Sequence, residues 1–214
     1  MPDPFGYDNR PETLQETDLS IGLDLDGTLV AFARGFVQKA KEEGVQYYDH
    51  YSVWNQWAAP DRLEKNFFKM WDVLEDNWEF WTRLDPLEKA YVPYEVTAYV
   101  TSRSSAPEGA GEHWIKKNEF PPAPVFRVGE ALNKLNRLMW INDSPNESLD
   151  VFVDDKAATV REVHTAWAHG QDVPFPLLIT TPANSRFSNE KNSDLPRVDY
   201  LAEVPKAARH YINK

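Results

Sequence analysis

Hydrophobic positions along this chain follow two alternating rhythms. Short, nearly unbroken apolar runs occupy 19–26, 96–100, 125–128, 149–153 and 177–180. Runs of that length between polar turns predict buried strands. Elsewhere the apolar positions recur every three or four residues, the period of a helix with one buried face. Phe32, Phe36, Val37 and Ala40 make such a face within 31–44, opposite Lys39, Lys41, Glu42 and Glu43, and Gly44 supplies a stop. Leu63, Phe67, Trp71 and Leu74 predict a second helix after Pro60. Trp78, Trp81 and Leu84 predict a third, shorter one that ends before Pro86. Helical patterns return at 112–118, 130–139, 160–169 and 204–212, whereas Tyr47 to Trp57 reads as an aromatic loop or short helix. The stretch from Pro182 to Arg197 reads as a polar loop, and residues 1–20 as a polar leader over the surface rather than a secretory signal.

Strands that alternate with helices predict an α/β fold, here a doubly wound parallel sheet of five strands. No strand signal falls between Val30 and Ala90, so a small helical cap is expected after the first strand. The expected division is a core of 1–30 and 91–214 with a cap of 31–90.

Composition narrows the partners. The 214 residues suffice for one α/β domain plus a small insert, and the 42% hydrophobic content is ordinary for a globular protein. Five of the eight Trp lie in the expected cap. The net charge of −11 argues against a nucleic-acid polymer, whose binding depends on neutralising phosphates, but leaves room for a small phosphate ester. No Cys is present, which excludes disulfides and thiolate metal sites and fits a reducing compartment. No apolar run reaches the length of a membrane span. A cytoplasmic protein, monomeric or homodimeric, is expected.

The densest chemistry lies where the first run ends, at Ile21-Gly22-Leu23-Asp24-Leu25-Asp26-Gly27-Thr28-Leu29-Val30. Asp is poorly suited to a strand interior, so Asp24 and Asp26 are placed at the strand's end. Two carboxyls aimed into one small volume hold a hard cation, usually Mg²⁺. One acid can then attack phosphorus while the other handles a proton. Gly27 permits a sharp turn, and Thr28 offers that turn a hydroxyl. Two further strands end in polar groups, Thr101-Ser102 and Asp154-Asp155. In wound parallel sheets the sites lie at these carboxyl ends.

The run Asp24-Leu25-Asp26-Gly27-Thr28 after an apolar strand resembles the first motif of the haloacid dehalogenase (HAD) superfamily. The order of the remaining candidates resembles it too. The resemblance implies that the Thr101 hydroxyl binds a phosphoryl oxygen, that Lys134 is the balancing cation, and that Asp154 and Asp155 complete a Mg²⁺ site with Asp24 and Asp26. Lys134 lies twenty residues before Asp154, a longer gap than the pattern leads one to expect, so Arg137 and Lys117 stand as alternatives. Within the superfamily the chain resembles the 5′(3′)-deoxyribonucleotidase branch. The residues that carry this are Asp24 to Phe32 with Phe36, Asn77 to Trp81 leading to Leu84-Asp85-Pro86-Leu87, Val100-Thr101-Ser102, and Val151 to Lys156. That branch implies a Mg²⁺-dependent nucleotidase with an aspartyl-phosphate intermediate: Asp24, Asp26, Thr101 and Lys134 would be catalytic, and Phe32, Trp54, Ser102 and Arg103 would meet the substrate, with Phe32 against the base. A phosphatase for a sugar phosphate or another small ester is the nearest rival. Phosphoryl transfer or a 3′-phosphatase role on nucleic-acid ends, which the acidic charge disfavours, and a catalytically silent binding module with the same fold are the others.

Overall fold

The structure is a computed structural model that describes residues 14–44, 70–88, 90–103, 106–129, 134–144, 148–181, 184 and 194–213. The leader up to residue 13, the aromatic run 47–57 with Trp54, and Leu63 and Phe67 lie outside the described residues.

A parallel sheet forms the centre. Its strands are β1 (Ile21–Leu23), β2 (Ala98–Thr101), β3 (Val125–Arg127), β4 (Val151–Asp154), β5 (Phe175–Ile179) and β6 (Arg197–Val198), in the spatial order β3-β2-β1-β4-β5-β6. The sequence predicts five strands, and the sheet has six. The addition is β6, which pairs Arg197 with Leu178 and Val198 with Ile179 at the sheet's edge. A two-residue strand after Pro196 has no room for an alternating pattern, so the polar stretch masked it. The order reverses between β1 and β4, because the chain first builds outward through β2 and β3 and then returns to the other side of β1. Such a reversal opens a crevice beyond the carboxyl ends of the two strands.

The strands are apolar on both faces because helices cover both. Ile21, Leu23, Tyr99, Val151 and Val153 point into one cluster, shared with α1 (Phe32–Glu42), α2 (Trp78–Arg83), α3 (Ala110–Lys117) and α6 (Val204–Ile212). Ala98, Val100 and Phe152 point into the opposite cluster with α4 (Lys134–Asn142) and α5 (Ala157–Ala168). Gly22 faces this second side. A Cβ there would sit 2.7 Å from a methyl of Leu149, so β1 lies close against its neighbours only because that position is bare.

Among the described residues of the inserted segment, α1, residues 70–74 and α2 are helical. α1 buries Phe32, Ala33, Phe36, Val37 and Ala40, and Gly44, two residues past its end, turns the chain away with φ at +71°. α2 is begun by Asn77, whose side chain accepts the Phe80 N–H at 3.0 Å. These helices share one hydrophobic cluster with the sheet. No helix among the described residues is long and apolar enough to cross a membrane.

Phe152 is fully buried in the second cluster, and Trp140 is half exposed on α4. Phe152→Ala is therefore expected to destabilise the fold by about 3–5 kcal/mol. Trp140→Ala should cost less than about 1 kcal/mol. Thermal or denaturant unfolding of both variants checks the contrast, and equal losses would contradict this assignment of the core.

Candidate active site

Strand pairing brings the acids together. Leu23 of β1 is in register with Val153 of β4, and the next backbone N–H, that of Asp24, donates to the Val153 carbonyl at 2.9 Å. Asp24 thus lies beside Asp154, the last residue of β4, and Asp155 follows it. Carboxylate oxygens of Asp24, Asp154 and Asp155 lie within 4.8 Å of one another, and all three residues are buried. The turn after β1 completes the enclosure. Gly27 has φ at +85°, and a Cβ on it would fall 2.2 Å from Oδ2 of Asp155. Any other residue there would drive the Asp155 carboxylate out of the cluster.

Among the described residues, one cation reaches into this cluster and contacts two of the three acids. Lys134, the first residue of α4, places its Nζ 2.7 Å from Oδ1 of Asp24 and 2.7 Å from Oδ2 of Asp154. The other oxygen of Asp154 accepts the Lys156 backbone N–H at 2.7 Å. The rival cations lie elsewhere: Lys117 donates to the Thr82 carbonyl at 3.0 Å, and Arg137 covers the rings of Phe126 and Trp140. Three carboxylates against one ammonium leave negative charge in excess. Burial pushes the Asp24 carboxyl up to about 7, with Lys134 opposing and Asp154 and Asp26 adding to the rise. Burial, then Asp154 and Asp24, hold the Asp155 carboxyl well above the usual carboxylate range. Burial alone would lower the Lys134 value, but Asp154 and Asp24 outweigh it and keep the ammonium charged. A hard divalent cation with oxygen ligands fits this donor set and would remove the excess.

Asp26 stands apart from the triad. Its two carboxylate oxygens accept from Arg103, Nε at 2.8 Å and Nη2 at 2.6 Å. Arg103 follows the end of β2 and is 2% exposed, which places a guanidinium inside the protein. Among the described residues its Nη1 has no hydrogen-bond partner, nor do the buried hydroxyls of Thr28, Thr101 and Ser102. Buried polar groups are nearly always paired, so orphan hydroxyls at the carboxyl ends of adjacent strands point to an absent acceptor.

Phe32 lies where the helical period places it, on the buried face of α1. It is 6% exposed and sits among Phe36, Trp71, Phe80 and Trp81, with the Trp81 ring stacked on it at 5.6 Å and an interplanar angle of 11°. Its expected role against a base met the competing demand of α1 for a buried face. Trp54 lies outside the described residues. Sequence reasoning missed Asn184, whose buried side chain donates to the Asp155 carbonyl at 3.0 Å and to that of Ile179 at 2.7 Å. A single Asn in a polar stretch carries no pattern that would reveal it. It also missed Trp81 as a neighbour of the site; its ring lies 5.1 Å from the Arg103 guanidinium carbon. A separate cavity of about 630 Å³ lies between α1 and α2, lined by Arg34, Lys39, Phe80, Arg83 and Asp85 among others, and none of the three triad acids borders it.

No protein-family model and no curated protein matches the chain. Solved structures do. The L-2-haloacid dehalogenase PA0810 superposes with a TM-score of 0.50 at 12% identity, over 88% of this chain and 98% of that one. This chain has the HAD fold. The L-2-haloacid dehalogenase of Xanthobacter autotrophicus with chloropropionic acid covalently bound gives a TM-score of 0.49 at 15% identity, over 89% of this chain and 98% of that one. YfnB of Bacillus subtilis bound to magnesium gives 0.49 at 12% identity, over 93% of this chain and 100% of that one. In the HAD fold of this protein, Asp24 and Asp154 occupy the carboxyl ends of the two strands that flank the reversal.

A cation held by the acid triad would bind in a pH-dependent way. The Asp24 carboxyl stands near 7 in the folded protein, whereas an unfolded Asp titrates near ~3.9. Between those values the folded state binds more protons, so the metal-free protein is expected to lose stability as pH rises from about 4 to about 7. A cation requires ionised ligands, so it should stabilise more at high pH. The rise in Tm on adding Mg²⁺ is expected to be larger near pH ~8 than near pH ~5.5. An equal rise at both, read by thermal denaturation, would contradict the proton-linked triad.

Proposed function

We propose that the protein is a Mg²⁺-dependent phosphomonoesterase that works through an aspartyl-phosphate intermediate, with nucleoside monophosphates as its substrate class. One observation carries this reading. A single lysine reaches two of three clustered buried carboxylates, and the buried hydroxyls of Thr28, Thr101 and Ser102 have no hydrogen-bond partner among the described residues. A phosphoryl group offers several acceptor oxygens and, together with a divalent cation, suits both features.

In this reading an oxygen of Asp24 attacks phosphorus, and the bond from phosphorus to the leaving oxygen breaks. Asp26 has to enter the cycle as the neutral carboxylic acid, and it gives that proton to the leaving alkoxide. Water then attacks the aspartyl phosphate and gives its proton to Asp26, which releases orthophosphate and restores Asp24. Lys134 holds the nucleophile in place and balances charge, while Thr101 and Ser102 donate to the equatorial oxygens as charge develops. Mg²⁺, held by Asp24, Asp154 and Asp155, would polarise the phosphoryl group and relieve repulsion between those carboxylates and the phosphate.

A dehalogenase would use the same fold differently. Halide departs without a proton and its substrate brings no phosphate dianion, so such chemistry calls for neither Asp26 nor a cation among three acids. A silent binding module would have no need for both Asp24 and Asp26.

The nucleotide as substrate rests on the resemblance to the deoxyribonucleotidase branch and on the aromatic residues around α1 and α2. The burial of Phe32 favours a second reading, a sugar phosphate or another small ester with no base to stack.

Asp24→Asn is expected to fold and to lose about three decades or more of phosphatase activity. Activity should vanish in EDTA and return with Mg²⁺, but return poorly with Ca²⁺, which prefers longer bonds and more ligands. Near wild-type turnover by the Asn variant, or full activity in chelator, would overturn the reading.

Substrate class is tested with a panel of phosphomonoesters. Base stacking on an aromatic ring is worth about 1–3 kcal/mol. If Phe32 meets a base, Phe32→Ala should lower kcat/KM for a nucleotide by roughly one to two decades and spare p-nitrophenyl phosphate. Equal losses on both would make Phe32 a packing residue. Activity on sugar phosphates alone would select the second reading.

A further inference from the structure

We propose that Arg103 is a positioning residue: it fixes the carboxyl of Asp26, and Trp81 of the inserted segment fixes Arg103 in turn. The proposal rests on the phosphomonoesterase reading, in which Asp26 handles the proton of the leaving oxygen.

Arg103 is not an ordinary surface partner. Its side chain is 1% exposed, against 19% for that of Asp26, so the guanidinium has given up its water and the carboxyl has kept some. Burying a guanidinium is costly, and one ion pair does not by itself explain it. The pairing is bidentate, which sets both the distance and the plane of the Asp26 carboxyl. No other described residue gives Asp26 a side-chain hydrogen bond.

The guanidinium is held as well. Its central carbon lies 5.1 Å from the centroid of the Trp81 ring, within the range of a cation–π contact. That ring is fully buried, stacks on Phe32, and donates its Nε1–H to the Leu74 carbonyl at 2.9 Å. Leu74, Trp81 and Phe32 all belong to the segment inserted between β1 and β2. The proton-handling carboxyl is therefore oriented from β2 and braced by the insert, while the nucleophile Asp24 is oriented from β4 and α4. The two acids of the first motif, one residue apart, have separate supports.

A purely structural bridge between insert and sheet would slow every substrate alike. A positioning role has a different signature, because only some leaving groups need a proton. An alkoxide does; p-nitrophenolate departs without one. The test is single-turnover release of the leaving group, with Mg²⁺, from an alkyl phosphate monoester and from p-nitrophenyl phosphate. It uses the wild type, Arg103→Lys, Trp81→Phe, Asp26→Asn and the Arg103→Lys/Asp26→Asn double variant.

Lysine keeps the charge but cannot form the fork. General acid catalysis is worth about 10²–10⁴-fold, so Arg103→Lys is expected to slow the alkyl ester at least about tenfold more than the aryl ester, in kcat rather than KM. Trp81→Phe should shift the same ratio in the same direction by a smaller factor, and it serves should Arg103→Lys fail to fold. The double variant should lose no more on the alkyl ester than Asp26→Asn alone, since the two residues act as a unit. Equal losses on both esters, or additive losses in the double variant, would overturn the positioning role and leave the phosphomonoesterase reading standing. A wild type inactive on both esters with Mg²⁺ would overturn that reading and this proposal with it.

Discussion

Three carboxylates buried around one ammonium constrain everything near them. Burial in a poorly hydrated volume disfavours the charged form, and the neighbouring carboxylates add to it, which is why the Asp24 carboxyl rises to about 7. Lys134 meets part of the excess by reaching both Asp24 and Asp154. The cluster is thus stable as a protonated or a cation-bound arrangement, and poorly stable as a bare set of anions. A fold that holds such a cluster keeps affinity for positive charge in reserve.

The parallel sheet makes that arrangement possible at little local cost. Acids within a strand would disrupt its apolar faces. Placed one residue beyond β1 and at the last position of β4, they leave Ile21, Leu23, Val151 and Val153 free to pack. The reversal of strand order puts these two ends side by side with no strand between them. Gly27 then closes the turn with its bare Cα against Asp155, so a backbone requirement and an electrostatic one meet at the same position.

Much of this was legible in the sequence because it is local. The period of apolar residues found the first five strands and α1 through their buried faces, and Asp24, Asp26, Asp154 and Asp155 marked strand ends through their poor fit to strand interiors. What stayed hidden depends on distance or brevity. The Arg103–Asp26 pair spans 77 positions, and no spacing rule connects them. β6 is two residues long and takes its identity from β5 rather than from its own pattern. Phe32 admits two readings in the sequence, on the buried face of α1 by its period and against a base by resemblance, and the structure shows the first.

That competition over Phe32 bears on how the insert relates to the chemistry. Aromatic pairs contribute about 0.5–1.5 kcal/mol each beyond the area they bury. Phe32 pairs with Phe36, Trp71, Phe80 and Trp81, so rotating it out to meet a ligand would break several such contacts at once. The same stack holds Trp81 beneath Arg103, and a displaced Phe32 would loosen the support of Asp26. Rigidity in this cluster therefore suits holding the Asp26 carboxyl through Arg103 better than it suits a mobile grip on a ligand.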